Sequence, residues 1–449
     1  MKHTKSILAA LVAALSVGAA SAASTAVTNA IYIAGSTAFS KAACPAVYNV
    51  ATNNNFTLIA SDSGKTGSGQ DVSGCKAMLF RKSTVISGVT NVDIINMGLI
   101  GSEGGIQSAA SGTTKSTLFI PNNTPATNGT FTFATTGEAH VADVTFSDVN
   151  QLTTSRFYKA LAGDGTTYAA LLDKGAFGLV DFAWAVSPNA AATSSVTTTV
   201  VSGVTNSVTN STGHSAFTNI TAIQARKLFT AGNLPLSYFT GVNSDSNTGV
   251  YLIGRDIDSG TRGVALAEAG LSITNPVNQY SVDSNGVIAL QTATTVNGIA
   301  EVAGNGGYND SGLMATALTY APTSGWDTNK YTNAVVIGYS GTSKVQNTVP
   351  ATGKYAISFN GIAPALSNEA TGAYSFWSFE HLYINATTKT STAHKLSSVS
   401  GSYTPSTFGD AVISQLGTVI ATDFWGKGYT HTNDVLVTRA QEGAVISIK

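Results

Sequence analysis

The sequence predicts an α/β protein, because strand-like and helix-like segments alternate along it. Four short apolar runs have the composition of buried strands, and each ends in a turn of small or polar residues. These turns lead towards segments that are compatible with helices, which is the order found in α/β units. With 449 residues the chain is also long enough for two or three lobes around a large core.

The four units follow one another in chain order, and two of them lead into clear helical segments. Helices are expected at Ala38–Val50 and directly after Thr261. The four predicted strands are Ala30–Ala34, Val92–Met97, Val141–Phe146 and Gly249–Gly254. The turns that follow them are, in the same order, residues 35–37, 101–105, 147–148 and 255–261.

Two segments rich in Ser, Thr, Asn and Gly interrupt this order, at Ser108–Gly137 and Ala191–Gly213. The first contains TLFIPNN and TFTFATT, and the second contains VTTTVVSGVTNSVTN. We therefore expect β-rich insertions in the form of surface hairpins in both. Further along, AIQARKLF has the composition of a helix, for which Asn219 or Thr221 is the expected N-cap.

Charged residues are scarce throughout the chain. Lys and Arg number 23 and Asp and Glu 24, so 10 % of the residues are charged and the formal net charge is −1. An average soluble domain has about 25 %. Since there is no basic field to hold a phosphodiester backbone, nucleic acid is excluded as a partner. A surface covered by small uncharged residues suits an exported protein.

Residues 1–22 have the features of a secretory signal peptide. Lys2 and Lys5 precede an apolar stretch, Ile7–Val17, and small residues then offer a cleavage site before Ala23. The alternative is an uncleaved membrane anchor, for which this stretch is short. No cysteine lies there for lipid attachment, and no later stretch reaches about 18 apolar residues. The mature chain is therefore expected to be soluble, without stable membrane insertion, in the periplasm or outside the cell.

The chain has two cysteines, Cys44 and Cys75. In an oxidising compartment such an isolated pair is expected to form a disulfide, and the alternative is two buried free thiols. Neither cysteine has the neighbours of a metal site, and the six histidines show no ligand spacing. The sequence therefore indicates neither a metal nor another cofactor.

The turns after the strands are suited to holding an anion. Backbone N–H groups at a helix N-terminus are unpaired, and the helix dipole favours negative charge there. Glycines allow a ligand to approach the backbone, and Ser or Thr hydroxyls add donors. Several such turns at the ends of successive strands, together with one Arg and one Asp, make the signal more specific than any single turn.

These turns resemble those of a known family, the phosphate-binding proteins of bacterial ABC importers, which are a branch of the type II periplasmic binding proteins. The similarity extends in order through most of the mature chain, and its most specific motif places an Arg four residues before Ser-Gly-Thr. The similar segments are AGSTAF (34–39), MGLIGSEGGIQ (97–107), VADVTFSDV (141–149), NITAIQARKLFTAG (219–232), GRDIDSGTR (254–262) and GAYSFWSFEHLYI (372–384).

The resemblance implies a two-lobe fold with a ligand cleft between the lobes. Lobe one would comprise residues 23–183 and 378–449, and lobe two residues 184–377, with crossover strands at Leu179–Val186 and Phe376–Ile384 as hinges. It implies binding of inorganic phosphate for uptake through an ABC permease, and no enzymatic activity. The phosphate-binding residues that it implies are Thr37, the Ala38 amide, Ser102, Asp148, Arg255, Ser259, Gly260 and Thr261.

The chemistry of two of these residues can be argued without the resemblance. Phosphate near neutral pH keeps at least one proton, whereas sulfate has none. An ionised Asp148 can only accept hydrogen bonds, so it would bind a protonated oxyanion and repel sulfate. Arg255 can donate two bonds in a planar fork that fits the oxygens of the anion. Asp148 would therefore select the ligand, and Arg255 would supply affinity.

The chain departs from the family pattern at three places. Glu103 stands where a Ser usually follows the glycine-turn serine, and we expect its side chain to point into solvent. Ile257 stands where an acidic residue usually orients the Arg, although Asp256 and Asp258 flank it. The Ser108–Gly137 insertion also widens the spacing to Asp148, and it could form a lip over the cleft or a patch for a partner.

Other interpretations of the same residues stay open at this stage. Thr37 and Ser102 could be N-caps, Asp148 could bind its own backbone in a turn, and Arg255 could form a surface pair with Asp256 or Asp258. The aromatic residues Phe376, Trp377 and Phe379 are expected to belong to the core.

Two other classes of protein compete with a transport protein. A surface or matrix protein could keep the same fold without transporting a ligand. A phosphate-ester hydrolase is disfavoured because Ile100 stands where a Gly-x-Ser-x-Gly nucleophile elbow needs glycine.

Overall fold

The computed structural model contains both helices and strands along the described part of the chain. It describes residues 27–86, 89–111, 115–125, 137–154, 168–187, 194–201, 204–211, 217–273, 275–292, 295–296, 299–300, 302–345, 355–391, 394–399, 401–422, 429–431 and 436–449. The helices are α1 (Ser40–Asn53), α2 (Ser102–Ser111), α3 (Ala222–Ala231), α4 (Ser237–Thr240), α5 (Gly260–Glu268), α6 (Ser311–Ala317), α7 (Thr342–Val345), α8 (Leu366–Ala370) and α9 (Pro405–Thr422).

The strands are numbered in chain order, and most of the longer ones belong to one sheet. They are β1 (Val27–Gly35), β2 (Thr57–Ser61), β3 (Ala77–Ile86), β4 (Val89–Gly98), β5 (Lys115–Phe119), β6 (Glu138–His140), β7 (Val144–Ser147), β8 (Leu172–Val186), β9 (Ser194–Val201), β10 (Val204–Ser211), β11 (Asn219–Ile220), β12 (Asn233–Pro235), β13 (Thr248–Leu252), β14 (Tyr280–Val282), β15 (Ile288–Leu290), β16 (Thr295–Val296), β17 (Ile299–Ala300), β18 (Asn333–Gly341), β19 (Tyr355–Phe359), β20 (Trp377–Ile384), β21 (Leu396–Ser398), β22 (Gly401–Tyr403), β23 (Tyr429–His431), β24 (Val437–Thr438) and β25 (Ser447–Ile448).

The long strand β8 connects two half-sheets. Its residues Leu172–Asp181 pair with β20, and Phe182–Val186 pair with β18. The first half-sheet has the order β20-β7-β1-β4-β3-β2, and the second has the order β12-β13-β18. Strands β7, β1 and β4 are parallel, as are β13 and β18. The mixed sheet with its helices confirms the predicted α/β class. The predicted limits of the two lobes stay a prediction.

Three of the four predicted units lead from a strand into a helix within a few residues of the predicted positions, namely β1 with α1, β4 with α2 and β13 with α5. After β7 the described residues contain only the short 3-10 helix Gln151–Thr153 before β8. Gly35 ends β1 with φ of 120°, and a Cβ there would lie 2.0 Å from the Phe146 carbonyl oxygen of β7. Only glycine can therefore make this close approach of two parallel strands. Thr221 caps α3 in a reciprocal capping box with Gln224, which decides between the two expected N-caps.

The core continues from one half-sheet to the other at β8. The Trp184 ring is 1 % exposed and lies 5.2 Å from the ring of Tyr339 and 6.2 Å from that of Phe376. Trp377 is fully buried, and Phe379 packs against the same cluster. The prediction that Phe376, Trp377 and Phe379 belong to the core is therefore confirmed.

The two insertions contain β-structure, as expected. In the second, β9 and β10 pair in an antiparallel arrangement, with Val201 opposite Val204. In the first, β5 pairs with β6, and Phe119 and Ile120 are buried against the first half-sheet. The TFTFATT segment of that insertion lies outside the described residues.

The predicted disulfide between Cys44 and Cys75 is not present. Both cysteines are free and buried. The Cys44 thiol donates to the Cys75 carbonyl oxygen at 2.6 Å, and the Cys75 Sγ lies 2.9 Å from the Ser63 hydroxyl. Burial raises the pKa of both thiols and keeps them in the neutral form. The structure therefore favours the alternative, in which the two cysteines are buried free thiols that serve as core residues.

The predicted signal peptide, residues 1–22, lies outside the described residues. Of the helices that the structure does describe, none is long and apolar enough to cross a membrane.

Truncating Trp184 to Ala should destabilise the protein by about 3–5 kcal/mol, because it removes the largest side chain from the place where the half-sheets share their core. Urea denaturation measures this change. Ile223→Ala is the control, since Ile223 is 74 % exposed and its truncation should change the free energy of unfolding by no more than about 0.5 kcal/mol. Equal stability of the two variants would contradict this description of the core.

Candidate anion-binding site

The predicted site residues lie in four turns that converge between the half-sheets. Thr37 follows β1, Ser102 begins the helix after β4, and Asp148 follows β7, all at the carboxyl ends of parallel strands. Arg255 follows β13 of the second half-sheet and precedes α5. Crevices outside the carboxyl ends of strands are the usual ligand sites of open α/β sheets. All eight predicted residues are buried.

Ser102 and Asp148 form a reciprocal contact. The Ser102 hydroxyl donates to Asp148 Oδ1, and the Asp148 backbone N–H lies 3.2 Å from Ser102 Oγ. Ser102 therefore holds the carboxylate in place. Thr37 is not the N-cap of α1, because that position is Phe39, whose N–H donates to the Ser36 hydroxyl at 3.3 Å.

Arg255 is 1 % exposed, which rules out a surface pair with its neighbouring aspartates. Its Nε donates to the Tyr308 carbonyl oxygen at 2.9 Å, and its Nη2 donates to the Asn309 carbonyl oxygen at 3.3 Å. Nη2 also lies 3.4 Å from Thr37 Oγ1 on the opposite side. Backbone carbonyl oxygens of Tyr308 and Asn309 thus orient the guanidinium.

The remaining nitrogen of Arg255, Nη1, is buried and has no hydrogen-bond partner among the described residues. A buried charged donor without a partner is costly, because it has lost water and gained nothing in return. An oxygen atom of an anion would satisfy it.

The two half-sheets meet closely at Gly260. A Cβ on this residue would lie 1.8 Å from Asp148 Oδ1 and 2.8 Å from the Ser102 Cβ. Beside it, the backbone N–H groups of Glu103 and Gly104 donate to the Asp258 carbonyl oxygen at 3.1 and 3.3 Å. The first turn of α2 is therefore already occupied by a carbonyl of the second half-sheet. The turns of the two half-sheets are therefore in direct contact here.

Hydrogen bonds among its own residues stabilise the turn that contains Ser259. Ser259 Oγ is the N-cap of α5 and accepts from the Arg262 N–H at 3.4 Å. The Arg262 guanidinium, which sequence reasoning did not single out, is buried and donates to the carbonyl oxygens of Asn305 and Arg255. The sequence signal that could have identified Arg262 is its position at the end of the GRDIDSGTR motif. Thr261 is buried in the first turn of α5.

Burial raises the pKa of Asp148 from 3.8 to about 6. The Ser102 hydroxyl and the Arg255 guanidinium lower this pKa, and the Glu442 carboxylate raises it further. Desolvation thus outweighs the favourable partners. Asp148 is a carboxyl group that is poised to exchange a proton near neutral pH.

The expectation that Glu103 points into solvent is wrong. Its side chain lies in α2 and the residue is 2 % exposed. A Cβ on Gly263 of α5 would lie 3.4 Å from Glu103 Oε1, so the carboxyl faces the second half-sheet. Placing an acidic side chain in the first turn of a helix is favourable, because the helix dipole is positive there.

Replacing Asp148 with Asn should stabilise the ligand-free protein at pH 7. A carboxyl group whose pKa is higher in the folded than in the unfolded protein stabilises the fold only while it is protonated. For Asp148 this contribution to stability is complete below the unfolded pKa of about 3.9 and is lost as the pH rises through the folded pKa of about 6. Asn carries no such penalty, so the gain at pH 7 should be on the order of 1–3 kcal/mol and should vanish near pH 3. Urea denaturation of both proteins at the two pH values measures it. A difference that does not depend on pH would contradict the raised pKa.

Comparisons with known proteins give no family for this chain. No profile of a known family matches the sequence, and no characterised protein matches it. Among solved structures, a phosphate-bound substrate-binding protein of Clostridium perfringens, named for phosphate ABC transport, is similar with a TM-score of 0.42 and 12 % identity, over 90 % of this chain and 100 % of that one. An ABC-type phosphate transport receptor of Vibrio cholerae is similar with a TM-score of 0.41 and 13 % identity, over 89 % of this chain and 99 % of that one.

Proposed function

We propose that this protein is an exported binding protein for inorganic phosphate. The observation that carries the proposal is the pair of buried polar groups between the half-sheets. Arg255 presents an unsatisfied donor there, and Asp148 presents a carboxylate that Ser102 holds in place. A protonated oxyanion matches both groups, because its oxygens accept from Arg255 and its proton is donated to Asp148.

Selection between anions follows from the same two groups. Sulfate has no proton at neutral pH, so its oxygens would face the Asp148 carboxylate without a hydrogen bond between them. Repulsion of that kind in a buried site costs far more than it does in water. Thr37 and the N-terminal turn of α5 lie beside the pair and provide further donors, including the Thr261 hydroxyl.

Closure between two lobes completes the proposed site. We assign residues 23–183 and 378–449 to lobe one and residues 184–377 to lobe two, with β8 and β20 as hinges. An ion pair from Lys76 to Asp310, at 3.0 Å, joins the two sides in addition to the Asp258 contacts. Burial raises the pKa of Asp310, but Lys76 and Arg255 outweigh it and hold this pKa below its ordinary value. Asp310 therefore stays charged, and closure excludes water from the anion.

An ABC permease is the proposed partner of the closed form. The scarcity of charge limits how this partner could recognise the surface, which favours a surface or matrix protein as the second candidate. Hydrolysis of a phosphate ester is the third candidate.

Titration calorimetry of the mature protein with phosphate and with sulfate tests the proposal. Heat with phosphate and none with sulfate supports it. No heat with phosphate contradicts it and favours the surface or matrix protein. Steady release of phosphate from a generic phosphate monoester contradicts it in favour of the hydrolase.

Replacing Arg255 with Gln should weaken phosphate binding by on the order of 100-fold, because the charge-assisted hydrogen bond from Nη1 to the anion is lost. Calorimetry measures the change in Kd. Arg226→Gln is the matched control, since Arg226 is exposed on α3 and donates only to the carbonyl oxygens of Ala269 and Gly270 among its described contacts. Equal affinity of the two variants would contradict the role of Arg255.

Asp148→Asn should weaken phosphate binding and relax the rejection of sulfate, because an amide can donate to an unprotonated oxygen. The ratio of the two Kd values, measured by competition, should fall by at least about tenfold. An unchanged ratio would show that another group selects the ligand.

A further inference from the structure

A second carboxyl group, Glu380, lies next to Asp148 across the sheet. Strands β20 and β7 are antiparallel, with Leu382 opposite Phe146 and His381 opposite Ser147. The pairing ends at His381 and Ser147, and Glu380 and Asp148 are the next residues on the two segments. Both are buried, and the charge of Asp148 acts on the Glu380 carboxyl. The two carboxyl groups are therefore close neighbours.

Glu380 is fully buried, with an exposed fraction of 0 %. Neither of its carboxyl oxygens has a hydrogen-bond partner of ordinary geometry among the described residues. A buried carboxylate in that condition is unstable, because it has lost its water without compensation. The group remains buried only as a neutral acid or with a ligand beside it.

The charged and titratable groups around Glu380 do not neutralise it. Asp148 from β7 is a like charge, and the Ser36 hydroxyl in the turn after β1 is a weak partner. Gly178, opposite on β8, has no side chain, and Tyr383 on the same strand has its own pKa raised by burial. Near Asp148, the Arg255 guanidinium lowers the pKa of this aspartate and the Glu442 carboxylate raises it. Burial and Asp148 together hold the pKa of Glu380 well above its ordinary value.

Charge balance leads to the same conclusion. If both carboxyl groups were ionised, they would place two negative charges beside the single guanidinium of Arg255 before any anion arrived. One negative charge, on Asp148, is enough to accept the proton of the ligand. A second would repel the ligand from within the site.

We propose that Glu380 is a specificity-determining residue of the anion site, held protonated beside Asp148 so that only one negative charge faces the ligand. This inference rests on the proposed function, which supplies the anion. Its consequence is an upper pH limit for phosphate binding. When Glu380 loses its proton in alkaline solution, the site carries a second charge and releases phosphate.

The first test compares phosphate affinity from about pH 7 to about pH 10 in the wild type and in Glu380→Gln, each relative to its own value at pH 7. The Kd of the wild type should rise by up to about tenfold per pH unit once Glu380 ionises, and the rise should be smaller in Glu380→Gln. The titration of phosphate itself is common to both proteins and cancels in the comparison. Equal slopes would overturn the proposal.

Glu369→Gln is the matched control. Glu369 is equally buried in α8, both of its oxygens lack described partners, and burial and Asp181 raise its pKa to about 9. It is therefore also a buried carboxyl group with a raised pKa, but it lies beside Asp181 rather than Asp148. Its replacement should leave the alkaline rise in Kd as in the wild type. If the Kd of Glu369→Gln also rose less steeply with pH than that of the wild type, the proposal would be overturned. The alkaline loss of binding would then reflect a general loss of stability.

Infrared difference spectroscopy of the ligand-free protein gives a readout that does not need phosphate. The wild type at pH 7 should show the carbonyl stretch of a protonated carboxyl group that Glu380→Gln lacks. No such difference would overturn the assigned protonation. A protein that shows this band but binds no phosphate would contradict the proposed function while keeping the protonated Glu380.

Discussion

The burial of the Arg255 guanidinium between two half-sheets is the constraint on which the rest of the structure depends. A charge in that position needs oxygen atoms around it, and the chain supplies the Tyr308 and Asn309 carbonyls on one side and Thr37 on the other. One nitrogen is left for a ligand. The turns after four strands converge on this point, and their backbone conformations follow from the need to reach it.

Close approach of the two halves depends on residues without bulk. Gly260 touches Asp148, and Gly101, with φ of 130°, passes the Asp258 carbonyl so closely that a Cβ would lie 2.4 Å from its oxygen. The site is therefore dry when it is closed, and the pKa of Asp148 rises because water is excluded. In the proposed function, affinity and selection would come from the same desolvation that makes the empty site costly, so we expect Arg255 and Asp148 to destabilise the ligand-free protein.

Local patterns in the sequence were sufficient to predict three of the α/β units, the helix α3 with Thr221 as one of two candidate N-caps, and the β-structure of the second insertion. The eight residues that converge were implied by the resemblance of their turns to those of a known family. The sequence was not sufficient for features set by distant strands. Glu380 meets Asp148 only through the register of β20 on β7, and backbone carbonyls that orient Arg255 leave no side-chain signature. Glu103 looked like a solvent residue because nothing local reveals that α5 covers it. The cysteines showed that an isolated pair in a sequence does not by itself specify a disulfide.

A crystal structure of the mature protein grown with phosphate tests the central claim most directly. The account predicts a tetrahedral anion between the half-sheets, with one oxygen about 2.7–3.2 Å from Arg255 Nη1 and another within hydrogen-bond distance of the Asp148 carboxyl. It would be contradicted by a structure at saturating phosphate in which the anion lies elsewhere, or in which Arg255 Nη1 finds a partner within the protein and the position between Arg255 and Asp148 holds no anion.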